Sequence, residues 1–235
     1  MTKRLAGRIA LVTGASRGIG AAVAKAYAQE GAHVVLLARS VAGLEAVDDA
    51  IQAAGGKATL LPLDLGKLEQ IAALGPTLAE RFGRLDILVA NAGVLGTLGP
   101  VALSDTKIWE NVFRVNVFSN YHLIRTLDPL LRGSDAGRAI FVTSGIVRQH
   151  RAFWSAYAAS KAALEELVGT YAEEVAYSNL KVNLINPGPV RTEMRAEAMP
   201  GEDPLTLRTP ESIVERFIEL AAPQYGDTGK VVQAA

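Results

Sequence analysis

Thr13-Gly14-Ala15-Ser16-Arg17-Gly18-Ile19-Gly20 follows a short apolar run and opens a segment of helical character at 18–30. Glycines at a strand-to-helix junction allow a tight turn and let the backbone approach a pyrophosphate, which then meets the N–H groups of the helix N-terminus. The spacing is G-x-x-x-G-x-G, unlike the G-x-G-x-x-G of the common dinucleotide fingerprint. Alone, the loop also reads as a tight turn with no ligand. Its flanks and the rest of the chain decide between the two readings.

Working outward from the loop, short β-branched runs alternate with longer helical segments. Strands are predicted at 9–13, 33–38, 57–63, 85–90, 138–143, 180–185 and 230–233, and helices at 18–30, 41–54, 67–82, 104–131, 155–177 and 210–222. The strands are nearly continuous in apolar character, as in strands covered on both faces. Strand–helix alternation implies an α/β fold: a Rossmann-type, doubly wound, parallel seven-stranded sheet with right-handed crossovers and helices on both faces. No repeat or Gly/Ser linker divides the chain, so 1–235 is read as one domain. The stretch 191–208 holds Met194, Met199, Pro200, Gly201, Asp203 and Pro204 and little periodicity. It is read as a lid or substrate loop.

Composition narrows the function. The chain is 49% apolar and 20% charged, ordinary for a soluble globular protein. Its 24 Lys and Arg balance 24 Asp and Glu, so no global field favours nucleic acid or an anionic membrane. Cysteine is absent, which removes thiol catalysis and Cys-based zinc sites. Lys3 and Arg4 precede an apolar run too short for a signal peptide, and no stretch approaches a membrane span. A cytoplasmic location is expected.

Two further clusters carry chemistry. The second strand ends Leu37-Ala38-Arg39-Ser40, without the carboxylate that holds a ribose 2′-hydroxyl in NAD-preferring folds. Arg39 and Arg17 instead bring two guanidiniums, whose planar forks suit a 2′-phosphate. NADP is therefore favoured over NAD. Asp64, ending the third strand, reads either as an acceptor for the adenine amino group or as a helix N-cap. Farther on, Tyr157 and Lys161 stand four apart and share a helix face. A neighbouring ammonium is expected to lower the phenol pKa, making Tyr157 a usable acid and base near neutrality. Ser144, ending the fifth strand, is placed to bind a substrate oxygen.

With these motifs in order, nearly the whole chain resembles the short-chain dehydrogenase/reductase family. Residues 13–20 resemble that family's T-G-x-x-x-G-x-G loop, Asp64 with Leu65 its adenine contact, and Asn91-Ala92-Gly93 its N-A-G segment. Asn116 matches its helix asparagine, Ser144 its serine, Tyr157 and Lys161 its Y-x-x-x-K, and Pro187-Gly188-Pro189-Val190-Arg191-Thr192 its P-G-x-x-x-T turn. The resemblance implies catalysis by Tyr157 as proton donor, with Lys161 lowering its pKa and binding the nicotinamide ribose. It also implies substrate polarisation by Ser144 and a water-borne proton relay held by Asn116. Cofactor would be held by Gly14, Ser16, Arg17, Gly18, Ile19, Gly20, Arg39, Ser40, Asp64, Leu65, Asn91, Ala92, Gly93, Tyr157, Lys161, Pro187, Gly188, Val190 and Thr192. Position 90 is alanine where the family often has asparagine. The chain stops two residues after the last predicted strand, which makes a homodimer through 104–131 and 155–177 more credible against the usual homotetramer.

The substrate is expected to be a small carbonyl or alcohol compound, lined by Val94 to Leu98, Gly145, Ile146, Phe153, Trp154 and the 194–199 lid. Arg148, His150 and Arg151 read as a solvated loop or a subunit contact before a substrate clamp. His33 and His122 have no partner motif, so no metal site is expected. Trp109 and Phe113 read as core. Two alternatives stand beside a general carbonyl reductase: a 3-oxoacyl-thioester reductase, and a dinucleotide-binding regulatory protein without catalysis. The intact Asn116, Ser144, Tyr157 and Lys161 argue against the last.

Overall fold

Each predicted apolar run forms a strand in the computed structural model, which describes residues 3–234. The strands are β1 (Ile9–Thr13), β2 (His33–Ala38), β3 (Lys57–Pro62), β4 (Ile87–Ala90), β5 (Arg138–Val142), β6 (Lys181–Asn186) and β7 (Val231–Gln233). They form one seven-stranded sheet in the order β3-β2-β1-β4-β5-β6-β7, parallel at every pairing. The helices are α1 (Gly18–Gln29), α2 (Val41–Ala53), α3 (Leu68–Ile71), α4 (Leu74–Phe82), α5 (Thr106–Phe113), α6 (Ser119–Arg132), α7 (Ser155–Glu174), α8 (Glu193–Ala198) and α9 (Val214–Ala221).

The period-two geometry of a strand explains how one sheet carries two cores. Ala10, Val12, Val34, Leu36, Ile87, Val89, Ile140 and Ile185 point to the face covered by α1, α2 and α9. Their neighbours Leu11, Val35, Leu37, Leu88, Phe141, Val182 and Leu184 point to the face covered by α4, α6 and α7. Burying a side chain of this kind stabilises by about 1.5–3 kcal/mol relative to exposure. A charge on either face would meet a fully buried layer, which is why these runs read as continuously apolar. The edge strand β3 departs from that expectation: it is only partly buried, and Pro62, which has no N–H to donate, ends it.

Three predicted helices are interrupted. The segment 67–82 breaks between α3 and α4. Gly75 N–H donates to Thr126 Oγ1 (3.1 Å), and a Cβ on Gly75 would lie 2.2 Å from the Thr126 carbonyl oxygen, so α4 starts where its backbone touches α6. The segment 104–131 becomes α5, a π-helical turn over Arg114–Phe118, and α6. The segment 210–222 starts as a 3-10 turn, Pro210–Ile213, before α9. Conversely, 191–208 is less irregular than predicted. It contains α8 and a 3-10 turn at Pro204–Thr206, and is tied back by a parallel bridge between Val190 and Arg208.

The strand order reverses at β1, with β2 on one side and β4 on the other. In open parallel sheets the crevice beyond the strand carboxyl ends at such a reversal is where ligands bind. The glycine loop, Asn91, Ser144 and the turn after β6 all leave their strands at that end.

Candidate active site

The loop after β1 and the loop after β4 are built as one unit. Thr13 Oγ1 accepts from the N–H groups of both Asn91 and Ala92 (3.0 Å each), and Asn91 Nδ2 donates to the Thr13 carbonyl (3.0 Å). Gly14 has φ +66°, the left-handed region that glycine enters without strain. Gly20 is needed for closeness: a Cβ there would lie 2.2 Å from the Gly14 carbonyl oxygen and 2.6 Å from Asn91 Nδ2. α1 then begins with Arg17 at its N-cap, and no side chain caps it. By contrast α2, α5 and α8 are capped by Ser40, Asp105 and Thr192. The first N–H groups of α1 therefore keep their hydrogen-bonding capacity and the helix-dipole field for an anion. This fits a pyrophosphate.

The cavity here has a volume of about 1090 Å³ and is open to solvent. Gly14, Ser16, Arg17, Gly18 and Ile19 border it from α1 and its loop, Arg39 and Ser40 from the end of β2, and Asp64 and Leu65 from the end of β3. Asn91, Ala92 and Gly93 follow β4; Ser144, Tyr157 and Lys161 lie on the β5–α7 side; Pro187, Gly188, Val190 and Thr192 follow β6. Of the predicted catalytic and cofactor residues only Gly20 and Asn116 do not reach it. Arg17 pairs with Glu193 of α8 (2.5 Å) across the mouth, both side chains largely exposed. Arg39 is exposed and makes no ion pair with the described residues. Asp64 is not a helix N-cap: its Oδ1 accepts from Gly66 N–H (2.9 Å), a turn that holds the end of β3, and the N-cap of α3 is Lys67 instead.

Tyr157 and Lys161 project from one face of α7 beneath Ser144. Lys161 is buried and its Nζ donates to the Val142 carbonyl (2.8 Å), 5.8 Å from the Tyr157 ring centroid. Burial pulls the Lys161 ammonium down to about 8, against an opposing pull from Glu165. The expected lowering of the Tyr157 pKa by Lys161 is not what this geometry gives. Burial pushes the phenol up, and the counterweight is the Ser144 hydroxyl. The ammonium's own hydrogen bond goes to the strand. Tyr157 is thus held as a protonated phenol at neutral pH, the state a proton donor needs.

Asn116 lies in the π-helical turn and is fully buried. Its Oδ1 accepts from Val94 N–H (2.9 Å), while Nδ2 donates to the Val94 carbonyl (2.9 Å) and to Ser160 Oγ (3.0 Å). Ser160 in turn donates to the Tyr157 carbonyl (2.7 Å). The side chain of Asn116 is therefore a clamp between the loop after β4 and the Tyr157 turn. A Cβ on Gly93 would come within 3.2 Å of Asn116 Oδ1 and 3.6 Å of Lys161 Nζ. Gly93 is where these groups meet.

Residues 8–203 match the short chain dehydrogenase family. The chain belongs to the short-chain dehydrogenase/reductase family. It is 42% identical to the uncharacterized oxidoreductase YciK of Escherichia coli (strain K12), over 91% of this chain and 85% of the relative. It is 34% identical to the benzil reductase ((S)-benzoin forming) IRC24 of Saccharomyces cerevisiae, over 91% and 82%. A solved short-chain dehydrogenase from Escherichia coli CFT073, complexed with NADPH, superposes with a TM-score of 0.94 at 40% identity, covering 100% of this chain and 99% of the other.

Among the other residues that border this short-chain dehydrogenase cavity, Leu95, Trp154, Met194 and Ala198 form an apolar patch beside Tyr157, while Lys67, Asn111, Arg191 and Arg195 are polar or charged. The expected Leu98, Gly145, Ile146 and Met199 do not border it. Leu95, Ile146, Trp154 and Tyr157 form a cluster against which Leu98, Met194, Ala198 and Met199 pack, with the Trp154 and Tyr157 rings edge to face at 6.2 Å. Phe153 does not join them; it is 58% exposed, in the left-handed region at φ +75°. Arg148 and His150 share that backbone strain and are exposed, away from the cavity lining. Arg151 covers the Trp154 ring at 5.2 Å. Trp109 and Phe113 stack at 5.9 Å and are only partly buried. His33 bonds Thr59 Oγ1 (2.9 Å) in the sheet. Sequence reasoning missed Thr13 as the buttress of the cradle, Ser160 as the Asn116 partner, and Arg114, which borders the cavity from the π-helical turn. Ser160 was findable, since it sits one helical turn after Tyr157. Nothing in the sequence marks Arg114.

Proposed function

We propose that this chain is an NADP(H)-dependent oxidoreductase that interconverts an apolar carbonyl compound and its secondary alcohol. The observation that carries the reading is that one cavity is bordered both by the uncapped N-terminus of α1 and by Ser144, Tyr157 and Lys161. When bound, the cofactor supplies or accepts the hydride. In the reductive direction Tyr157 gives its phenolic proton to the substrate oxygen, and Ser144 holds that oxygen by a hydrogen bond. The Lys161 ammonium, on the same face of α7, would hold the nicotinamide ribose, and Asn116 fixes the Tyr157 turn through Ser160. Asn91 to Gly93, Val190 and Thr192 keep cofactor and substrate in register. The apolar patch beside Tyr157 selects a carbonyl compound with hydrophobic flanks.

Support for NADP over NAD comes from Arg39, which has no ion-pair partner among the described residues, and from Arg17, whose ion pair with Glu193 is exposed and weak. The relatives point the same way. The test is NADPH and NADH oxidation with benzil, bulky aryl ketones and a 3-oxoacyl thioester. Turnover with NADPH on the apolar ketones is expected. Replacing Arg39→Asp removes a charge-assisted phosphate contact worth about 1.5–3 kcal/mol, so NADPH affinity should fall about 10- to 100-fold while NADH affinity holds. Equal losses for both cofactors would contradict the 2′-phosphate assignment. Tight NADPH binding without turnover on any compound would favour a regulatory protein.

A further inference from the structure

One carboxylate faces the catalytic cluster from behind and has no part in the chemistry above. Glu165 is one helical turn beyond Lys161 and two beyond Tyr157, so the three lie along one stripe of α7. Its Oε1 accepts from Thr143 Oγ1 (2.7 Å). Lys161 Nζ meanwhile bonds the Val142 carbonyl (2.8 Å). Two side chains four apart on α7 thus hold two consecutive residues at the end of β5, and Ser144 is the next residue. Glu165 does not border the cavity, so it touches neither cofactor nor substrate.

We propose that Glu165 is a positioning residue for the Tyr157–Lys161 pair: through Thr143 it fixes the end of β5 against α7, and its carboxylate is the countercharge to the buried Lys161 ammonium one turn away on the same stripe of α7. The inference rests on the oxidoreductase reading of this site. The surroundings leave Glu165 without a rival. Tyr157 faces Lys161 from the same helix as a neutral phenol, and the π-helical turn presents the neutral amide of Asn116. Thr143 and Ser144 bring only hydroxyls from β5. Lys107 and Glu110 on α5, Arg114 on the π-helical turn and Glu166 on α7 are exposed, and Lys181 lies at the opposite end of β6. Glu165 is also the one charge that opposes burial in setting Lys161. No direct ion pair joins the two, so the carboxylate acts through space on a buried ammonium, where screening is weak.

The test is the titration of Lys161 itself, followed by NMR of protein carrying 13Cε-labelled lysine, with its resonance assigned by loss in Lys161→Met. A midpoint near pH 8 is expected in the native chain. Glu165→Gln keeps the acceptor for Thr143 and removes the charge, and should lower the midpoint by about one pH unit. Glu165→Asp keeps the charge and should restore more than half of that shift. An unmoved midpoint in Glu165→Gln overturns the proposal. So does an equal shift in both variants, since that would mark packing instead of charge. The titration needs no substrate, so a failure of the oxidoreductase reading would show separately, as missing turnover with the titration intact.

Discussion

At the scale of single residues, the site keeps an ammonium where the fold would be more stable without one. The Lys161 pKa falls from 10.5 to about 8 because burial disfavours the charged form. In the unfolded chain the group binds its proton up to pH 10.5, so between about 8 and 10.5 unfolding takes up a proton and stability rises with pH. Below pH 8 the full cost is present, about 3 kcal/mol at about 1.4 kcal/mol per unit. Lys161→Met removes that cost and gives up the bond to Val142, worth about 1 kcal/mol. The variant should therefore be more stable than the native chain by about 2 kcal/mol at pH 7, with the advantage vanishing near about pH 10 and reversing above it as the lost Val142 bond comes to dominate. Urea denaturation at the two pH values checks this, and a destabilised variant at pH 7 contradicts it. Sequence reasoning singled out Tyr157, Lys161 and Ser144 because their spacing is a motif, and the fold brings the three to one cavity. It misjudged what holds the phenol, because burial and the direction of an ammonium's hydrogen bond are tertiary facts.

At the scale of elements, the strands were legible and the helix interruptions were not. The strands read well because alternate residues face two different apolar layers, leaving few polar positions to blur the pattern. The break at 114–118 was invisible because hydrophobic spacing barely changes when a helix gains one residue in a turn. What marks it is Asn116, whose amide is spent on Val94 and Ser160, and Asn120, whose Nδ2 donates to the Asn116 carbonyl (2.8 Å). The α3–α4 break has a steric cause that can be tested. Gly75→Ala should push α4 off α6, because its Cβ meets the Thr126 backbone and a carbonyl cannot rotate away as a side chain can. A loss of about 1–3 kcal/mol in urea denaturation is expected, with NADPH affinity unchanged. A neutral substitution would show that this contact is slack.

At the scale of the whole molecule, the order of the strands gathers residues from six different loops at one end of the sheet, which is how Gly14 and Thr192 come to share a cavity. The glycine loop points to that end by its place in the sequence, directly after a strand, since a parallel sheet offers its ligands the carboxyl ends of its strands. No helix among the described residues is long and apolar enough to cross a membrane. Association between copies remains our proposal. Phe118 and Tyr121 are 51% and 45% exposed on the stretch where a dimer contact is expected. Sedimentation at micromolar concentration should return a dimer or tetramer, and Phe118→Glu should shift it toward monomer. A monomeric native chain would refute that.

The central claim is that Tyr157 passes the proton in the same cavity where NADPH binds. The direct measurement is turnover of saturating NADPH on an apolar ketone, such as benzil, by the native chain and by Tyr157→Phe, with NADPH affinity measured for both. The account predicts that kcat falls at least about 100-fold while affinity changes little, since the phenol acts in the transition state and not in cofactor binding. A Tyr157→Phe chain that turns over at the native rate would contradict it.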